Sequence, residues 1–226
     1  MMVASISIED PGPQMESPES DIDLCLASSS PRRRELLQQI GIRFWQLPVE
    51  VDETPGPNED AGLYAVRMAM DKAAAGRRQV GSSRDIPVLA ADTAVVLDQH
   101  ILGKPRDRDH GLSMLRSLSG RTHTVMSAVA LDAGGQRQSR LQHSRVRFRT
   151  LDPHEIDAYW RTGEPVDKAG GYGIQGRAAV FVEYLEGSYS GVMGLPLHET
   201  WNLLQDFGLT PAVWTQAPLV ACREPQ

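Results

Sequence analysis

A segment rich in hydroxyl and guanidinium groups lies where a short strand is followed by a helix. Residues 28–34 read Ser-Ser-Ser-Pro-Arg-Arg-Arg, with Ser30 placed to cap the helix and Pro31 at its first position. Free backbone amides at a helix start, together with arginines, form a site for an anion such as phosphate. A capped helix with solvated arginines explains the same residues. Because helical residues diverge by about 100° each, at most one or two of the three arginines can face one ligand.

A single carboxylate interrupts an apolar strand. Asp92 lies within residues 88–97, where the other residues are Thr93, alanines, valines and leucines. Burying an ionised carboxylate costs free energy unless it is paired, hydrogen-bonded or bound to a metal. We therefore favour a metal ligand or general base at this position, over an aspartate that caps a turn at the end of a strand.

A glycine-dense segment carries a lysine and an amide. Residues 167–176 read Asp-Lys-Ala-Gly-Gly-Tyr-Gly-Ile-Gln-Gly. Their G-x-G-x-x-G spacing matches a dinucleotide-binding fingerprint, but that motif follows a strand and opens a helix. Here it precedes a strand pattern at residues 178–184. We interpret the segment as a loop whose backbone approaches a ligand, with Lys168 and Gln175 directed at it; a structural turn is the alternative.

Two further lysines are candidates for phosphate binding. Lys104 stands in a Gly-Lys-Pro sequence that lacks the Ser or Thr and the preceding glycine of a P-loop. The spacing predicts that Leu63, Val66, Met70 and Ala73 form the inward face of the helix over residues 58–78. Lys72 lies about 180° from Leu63 on a helical wheel, so we expect it to face solvent or a cleft. The histidines lack H-E-x-x-H spacing, and residues 187–191 lack the serine of a G-x-S-x-G elbow, which weakens zinc peptidase and serine hydrolase interpretations.

The elements that must position these residues alternate between helices and strands. The patterns predict helices over residues 31–40, 58–78, 107–118, 152–160 and 196–207, and strands over residues 22–26, 88–97, 122–131, 144–150 and 178–184. This mixture predicts an α/β or α+β fold with a mixed sheet, and we take α/β with flanking helices.

Length, charge and cysteine content exclude several classes of protein. The 226 residues are enough for one sizeable core, as one domain or one domain of two lobes. With 23 basic and 29 acidic residues, the net charge of −6 disfavours nucleic acid and anionic membranes as partners. The two cysteines, which are far apart, and the absence of a signal-peptide pattern predict a cytoplasmic protein.

The charge is concentrated at the N-terminus. The first 23 residues contain six acidic residues and no basic one, which accounts for the whole net charge of −6. We predict a disordered acidic tail over residues 1–21, a folded domain over residues 22–209 and a C-terminal tail over residues 210–226. The folded domain is therefore free to gather cations around an anionic ligand.

Five motifs resemble, in order and spacing, those of the Maf family of nucleoside triphosphate pyrophosphatases. They are residues 28–33, 91–93, 103–105, 118–120 and 167–170, and the resemblance extends from about Leu24 to Leu209. It implies hydrolysis of a nucleoside triphosphate to the monophosphate and pyrophosphate, in a cleft between two lobes of a fold similar to inosine triphosphate pyrophosphatases. It also implies a homodimer and a possible role in the arrest of cell division.

The resemblance assigns roles to individual residues. Asp92 would be the catalytic carboxylate, and with Glu53 it would hold a divalent cation, Mg²⁺ or Mn²⁺. A triphosphate carries about four negative charges, which the cation and basic side chains would neutralise while a carboxylate orients the attacking water. The residues that would bind the phosphates are Ser28, Arg33, Lys72, Lys104 and Lys168.

The choice of base is the finer question. The family contains dTTP/UTP and 7-methyl-GTP types, and the glycine-dense segment resembles the first. The amide of Gln175 can both donate to and accept from the imide edge of uracil or thymine. Arg32, Thr93 and Gln175 match the positions that the family associates with specificity. The alternatives are a 7-methyl-GTP or broad-specificity pyrophosphatase, and a non-enzymatic regulator of septum formation.

Three glycines depart from the family's pattern. Gly171 stands where alanine is more common, and Gly191 where asparagine or alanine is. Gly111 replaces an alanine in the helix over residues 107–118. Because glycine is a poor helix former, we expect it to loosen that helix by up to ~1 kcal/mol.

Overall fold

A computed structural model describes residues 23–81, 86–209 and 214. In this part of the chain one sheet contains seven strands: β1 (Leu24–Leu26), β2 (Phe44–Gln46), β3 (Val88–Leu97), β4 (His100–Leu102), β5 (Thr122–Ala133), β6 (Gln136–Phe148) and β7 (Val182–Glu186). The helices are α1 (Pro31–Gln39), α2 (Ala61–Val80), α3 (Arg108–Leu118), α4 (Pro153–Arg161), α5 (Tyr189–Met193) and α6 (Leu197–Asp206). The predicted tails lie outside the described residues, apart from Trp214.

The sheet is mixed, as predicted. Its order is β2-β1-β3-β5-β6-β7, and β4 pairs with β3 outside this path. Strand β1 is parallel to β2 and β3, whereas the pairs β3–β4, β3–β5, β5–β6 and β6–β7 are antiparallel. None of the helices among the described residues has the length and apolarity needed to cross a bilayer.

One edge of β3 is interrupted. Strand β5 pairs with β3 from Val88 to Val96, so it occupies one edge of β3 over nearly its full length. On the other edge, β1 pairs only with Val88 and Leu89, and β4 pairs only from Val95 onward. The β3 residues between these two contacts, which include Asp92 and Thr93, therefore lie beside a gap in the sheet.

Alternation along β3 assigns its residues to two layers. Val88 and Ala90 face α2, in a cluster with the small residues of that helix. Leu89 and Ala91 face the opposite side, where they pack with α1 and α6, and Val95 packs further along that side with α3 and α4. Two apolar clusters thus lie at the two ends of β3 on this side, an arrangement that fits the two lobes that the family resemblance implies.

The face that α2 turns to the sheet agrees with the prediction at Ala73, Val66 and Met70 and differs from it at Leu63. Leu63 is 67 % exposed, whereas Lys72 is 8 % exposed. The packed face consists of small residues such as Ala69 and Ala73, and a Cβ at Gly76 would lie 2.8 Å from the side chains of Ala27 and Val88. Small side chains let α2 approach the sheet closely. Lys72 therefore lies between helix and sheet instead of pointing away from them.

Other differences involve short or polar elements. The predicted strand over residues 178–184 is wrong in its first half, because Arg177–Phe181 forms a 3₁₀ helix before β7 begins. Strand β6 begins at Gln136 rather than Ser144, since its first half is polar and exposed. Strands β2 and β4 and helix α5 were not predicted, because three to five residues show no clear period.

Gly111 has a packing role in α3. An added Cβ would lie 2.1 Å from Cζ3 of Trp160 in α4. The indole therefore occupies the volume that an alanine side chain would need. The low helix propensity of this glycine is offset by the close contact of α3 with α4.

Candidate active site

The gap beside β3 opens into a cleft of about 330 Å³. It is lined by β3 itself, by the start of α1, by Glu53, by Lys72 of α2, by the loop after β4 and by the glycine-dense segment. Asp92 and Thr93 point to opposite faces of the sheet, yet both line this cleft, because no strand of the described part of the chain pairs with β3 at that edge. Every residue to which the sequence analysis gave a catalytic, metal, phosphate or specificity role lines the cleft.

The start of α1 contributes a hydroxyl and two guanidinium groups. The Oγ of Ser28 accepts hydrogen bonds from the Ser30 backbone N–H and from Nη1 of Arg33, both at 3.2 Å. Arg33 also donates from Nε to the Gly194 carbonyl at 2.9 Å, which leaves Nη2 without a hydrogen-bond partner among the described residues. Burial lowers the pKa of Arg33, and the charge of Asp92 opposes that shift; the guanidinium remains a cation.

The other two arginines of α1 point elsewhere. Arg32 lines the cleft and its Nη1 lies 3.6 Å from Oδ2 of Asp167, across the cleft mouth. Arg34 lines a separate cavity with Gln38 and Arg43. Two of the three arginines thus reach the cleft, as helical geometry requires.

A lysine bridges two carboxylates at the centre of the cleft. Nζ of Lys72 donates to Oδ1 of Asp92 at 2.6 Å and lies 2.7 Å from Oε1 of Glu53. Nζ of Lys104 lies 3.5 Å from the second oxygen of Glu53. Burial acts to raise the pKa of Glu53, but the hydrogen bonds and charges of the two lysines lower it below its usual value. Glu53 is therefore ionised at neutral pH.

Asp92 keeps one oxygen for chemistry. The residue is 7 % exposed and its Oδ1 is bonded to Lys72. Its Oδ2 has no hydrogen-bond partner within residues 23–81 and 86–209. A carboxylate held in place by one oxygen, with the other free, can accept a proton from a water or bind a cation.

The donor set fits a magnesium-type cation. Mg²⁺ is held in many sites by one or two carboxylates together with substrate phosphates and waters. Asp92 and Glu53 supply two carboxylates around one lysine nitrogen. The described residues contain no cluster of three or more His, Cys, Asp or Glu that could hold a metal alone. A cation here would need phosphate oxygens to complete its ligands.

The glycine-dense segment forms the far wall. Nζ of Lys168 donates to the Glu164 carbonyl at 2.6 Å and to Oδ1 of Asp167 at 2.7 Å, so its hydrogen bonds within the described residues also fix the loop. A Cβ at Gly170, which has φ +69°, would lie 2.9 Å from Val95, so this loop packs directly on β3. The exposed amide of Gln175 lines the cleft and makes no hydrogen bond within the described residues.

Two tyrosines of the cleft had no role in the sequence analysis. Tyr64 donates to the Glu53 carbonyl at 2.9 Å and so ties the Glu53 segment to α2. It could have been found from its helical spacing, since Tyr64 and Lys72 are two i, i+4 steps apart. Tyr172 lies in the glycine-dense segment, and its hydroxyl is 2.8 Å from Nε2 of the buried His123. No local pattern links those two residues.

The sequence of the chain matches known proteins. A family model described as Maf-like protein matches residues 23–207. The dTTP/UTP pyrophosphatase of Alkalilimnicola ehrlichii is 54 % identical over 193 residues, covering 84 % of this chain and 95 % of its own. That of Methylococcus capsulatus is 56 % identical over 192 residues, covering 85 % and 94 %.

Among solved structures, the Ham1 protein of Staphylococcus aureus aligns over 81 % of this chain and 96 % of its own, with a TM-score of 0.42 and 13 % identity. At this TM-score and identity the structural likeness supports no conclusion about the family. The family assignment rests on the sequence matches. A family model that covers nearly all of the described residues, and relatives that are more than half identical over almost their whole length, show that this chain belongs to the family of Maf-like proteins.

Proposed function

We propose that this protein hydrolyses dTTP and UTP to the nucleoside monophosphate and pyrophosphate. The observation that carries the proposal is a buried aspartate with one free oxygen, set among Arg33, Lys72 and Lys104 in a single cleft. Such a ring of cations suits a triphosphate, and the free oxygen suits activation of a water. The curated relatives named dTTP/UTP pyrophosphatase support the same substrate class.

Asp92 is the general base in this proposal. Its Oδ2 takes a proton from a water whose oxygen bonds to the α phosphorus of the triphosphate. The bond from that phosphorus to the bridging oxygen breaks, and pyrophosphate leaves. Lys72 holds Asp92 in position through Oδ1, so the base does not have to reorient during the reaction.

Basic groups neutralise the phosphates. Arg33 offers its unpaired Nη2, and Ser28 holds that guanidinium from the other side. Lys104 is the most exposed of the cleft lysines that pair with an acid, with 61 % of its side chain accessible, and so can follow the leaving pyrophosphate. Lys168 acts from the opposite wall.

Asp92 and Glu53 would hold a divalent cation, Mg²⁺ or Mn²⁺, together with the phosphates. When bound, the cation supplies positive charge that stabilises the transferring phosphorus centre and the leaving group. Glu53 is kept ionised by its two lysines. Because its side chain is 45 % exposed, it can exchange a lysine contact for the cation.

Residues at the mouth of the cleft recognise the nucleobase. Gln175 has a free amide that can both donate and accept, which matches the imide edge of uracil or thymine. Arg32 and Thr93 line the same space. A 7-methyl-GTP or broad-specificity pyrophosphatase is the second candidate.

The test is pyrophosphate release by the purified protein with Mg²⁺ or Mn²⁺, across UTP, dTTP, CTP, GTP and 7-methyl-GTP. We expect the highest kcat/KM for UTP and dTTP, and loss of turnover in Asp92→Asn. A preference for 7-methyl-GTP would contradict the proposed preference for uracil and thymine nucleotides. No release from any nucleotide would instead favour a non-enzymatic regulator of septum formation.

We further propose that the protein acts in the cytoplasm as a homodimer, on free nucleotides rather than nucleic acid. The oligomeric state is measured by light scattering on the purified chain, where the mass of one chain, 24.8 kDa, would contradict a dimer. Cell fractionation tests the location. A role in the arrest of cell division predicts that overexpression blocks septum formation.

A further inference from the structure

A chain of hydrogen bonds runs from the cleft into the sheet. Thr93 lines the cleft, and its Oγ1 lies 3.0 Å from Oγ of Ser127 on the neighbouring strand β5. Ser127 is fully buried, and its Oγ donates to the backbone carbonyl of Gly191 at 2.6 Å. The contacts connect three elements, β3, β5 and α5, behind the wall of the cleft.

The direction of each bond follows from the last acceptor. A backbone carbonyl has no hydrogen to give, so the Ser127 hydroxyl must donate its one hydrogen to Gly191. Ser127 can then only accept from Thr93. The single hydrogen of the Thr93 hydroxyl is therefore directed at Ser127, and what Thr93 presents to the cleft is a lone pair.

The acceptor at the end of this chain is itself held in place. The backbone N–H of Gly191 donates to Oγ of Ser188 at 2.9 Å, and a Cβ at Gly191 would lie 2.7 Å from Oε1 of Gln142. Gly191, where the family more commonly has a side chain, thus packs against the amide of a neighbouring strand. Its carbonyl is fixed, and so is the direction of the Ser127 hydroxyl.

We infer that Ser127 is a positioning residue for the choice of nucleobase, because it makes Thr93 a fixed hydrogen-bond acceptor toward the base. This inference rests on the proposed function. The imide of uracil and thymine has an N–H at ring position 3, which an acceptor can bind. Cytosine has a lone pair at that position, so the same acceptor opposes it. Thr93, held by Ser127, thus selects UTP and dTTP against CTP.

The test compares kcat/KM for UTP and CTP in the wild type and in Ser127→Ala. Without Ser127, the Thr93 hydroxyl can turn and donate to the cytosine ring, so we expect the UTP to CTP ratio to fall by about tenfold or more. The kcat for UTP should stay within a few fold of wild type, because Ser127 touches no reacting group.

The matched control is Thr200→Val. Thr200 is also fully buried, and its hydroxyl donates to the Pro196 carbonyl at 2.8 Å, away from the cleft. This variant loses an equivalent buried hydroxyl, so thermal unfolding should be affected to a similar degree while the UTP to CTP ratio stays at the wild-type value.

A double variant distinguishes an effect of Ser127 through Thr93 from a general loosening of the fold. Thr93→Val removes the lone pair itself, so it should lower the ratio, and adding Ser127→Ala to it should change the ratio no further. An additional fall in the double variant would contradict an action through Thr93. Equal losses for UTP and CTP in folded Ser127→Ala, or an unchanged ratio, would overturn the inference.

The test can be made independent of a folding failure in Ser127→Ala and of a failure of the proposed function. If Ser127→Ala does not fold, Ser127→Cys fills the same space with a slightly larger group that is a weaker donor, and an unchanged ratio there would again overturn the inference. Failure of the proposed function is distinguishable, because the wild type would then release no pyrophosphate from UTP or dTTP, whatever residue 127 is.

Discussion

Two buried aspartates lie under the same helix and differ in how their oxygens are used. Asp92 in β3 is 7 % exposed and Asp132 in β5 is 6 % exposed. Both face α2 and both receive a cation from it, Lys72 in one case and Arg77 in the other. Asp132 bonds Arg77 through Oδ1 and Arg137 through Oδ2, so both oxygens are occupied. Asp92 leaves Oδ2 without a hydrogen bond from any residue that the structure describes.

The difference shows what separates a structural carboxylate from a chemical one in this fold. Arg77 and Arg137 enclose Asp132 with fork-shaped donors. Arg77 ties α2 to the sheet, and Arg137 ties β6 to β5. One lysine, a point charge, holds Asp92 from one side and leaves its other side to the cleft. Burial alone does not distinguish these residues, whereas the number of bonded oxygens does.

The largest effect we expect is on turnover in Asp92→Asn. An amide cannot serve as the base, so kcat for UTP should fall by about 10²–10⁴-fold. The measurement is pyrophosphate release under saturating UTP. The same substitution at Asp132 is the matched control, and its kcat should remain within a few fold of wild type. Similar losses of kcat in both would break the comparison.

For the free energy of unfolding, we expect Asp132 to matter more than Asp92. Asp132→Asn leaves two arginines facing a neutral amide, so the free energy of unfolding should fall by about 3 kcal/mol. Chemical denaturation measures it. Asp92→Asn should cost less, because the neighbouring Glu53 still pairs with Lys72. The comparison fails if Asp92→Asn is the more destabilising of the two.

A third buried group stays uncharged instead of being paired. Burial lowers the pKa of His123 from 6.5 to about 4, with Tyr172 bonded to Nε2 and no partner for Nδ1. The unfolded chain therefore binds a proton first as pH falls. The contribution of His123 to stability is complete above pH 6.5 and is lost as pH falls toward 4, by about 3 kcal/mol in total.

This pH dependence can be isolated from that of the carboxylates. Hydrogen bonds from Arg67 and Arg149 lower the pKa values of Glu59 and Glu155 from 4.5 to about 2. The contribution of these two carboxylates to the free energy of unfolding is therefore lost mainly below pH 4.5. Unfolding free energies between pH 4.5 and 6.5 thus report chiefly on His123. His123→Gln should flatten the dependence in that range, and an unchanged slope would contradict the assignment.

The smallest effect is expected at an exposed pair. Nε of Arg147 lies 2.8 Å from Oε2 of Glu183, with about half of each side chain exposed. Because water screens such a pair, Arg147→Met should change the free energy of unfolding by about 0.5 kcal/mol or less. A cost comparable to that of Asp132→Asn would show that pairing, rather than burial, sets the difference between the ion pairs.

Much of the fold follows from local signals in the sequence. Strand β3 was predicted with its observed bounds because it is a ten-residue apolar run. Helices α3 and α4 begin where Asp107 and Asp152 cap them, and the capping box at α4 is present. The short elements β2, β4 and α5 are formed by pairing and packing with distant residues, so their own residues predict little.

The inward face of α2 departs from the prediction at Leu63 for a physical reason. Hydrophobicity favoured Leu63, but close approach to the sheet favoured alanine and glycine. Lys72 lines the cleft, which is one of the two positions expected for it, but its pairing with Asp92 has no signal in the sequence. Asp92 is identifiable from the sequence because a carboxylate stands out in an apolar strand, whereas Glu53 is assigned only through the family resemblance. The link from Thr93 to Ser127 joins residues 34 positions apart and has no local signal.

The interrupted edge of β3 also bears on solubility. A length of strand without a neighbour is a template for pairing with another chain, which leads to aggregation. An incoming strand at this gap would have to strip water from Glu53, Lys72 and Lys104, which line it. The side chains that suit a nucleotide are therefore also those that keep the open edge from joining two molecules into one sheet.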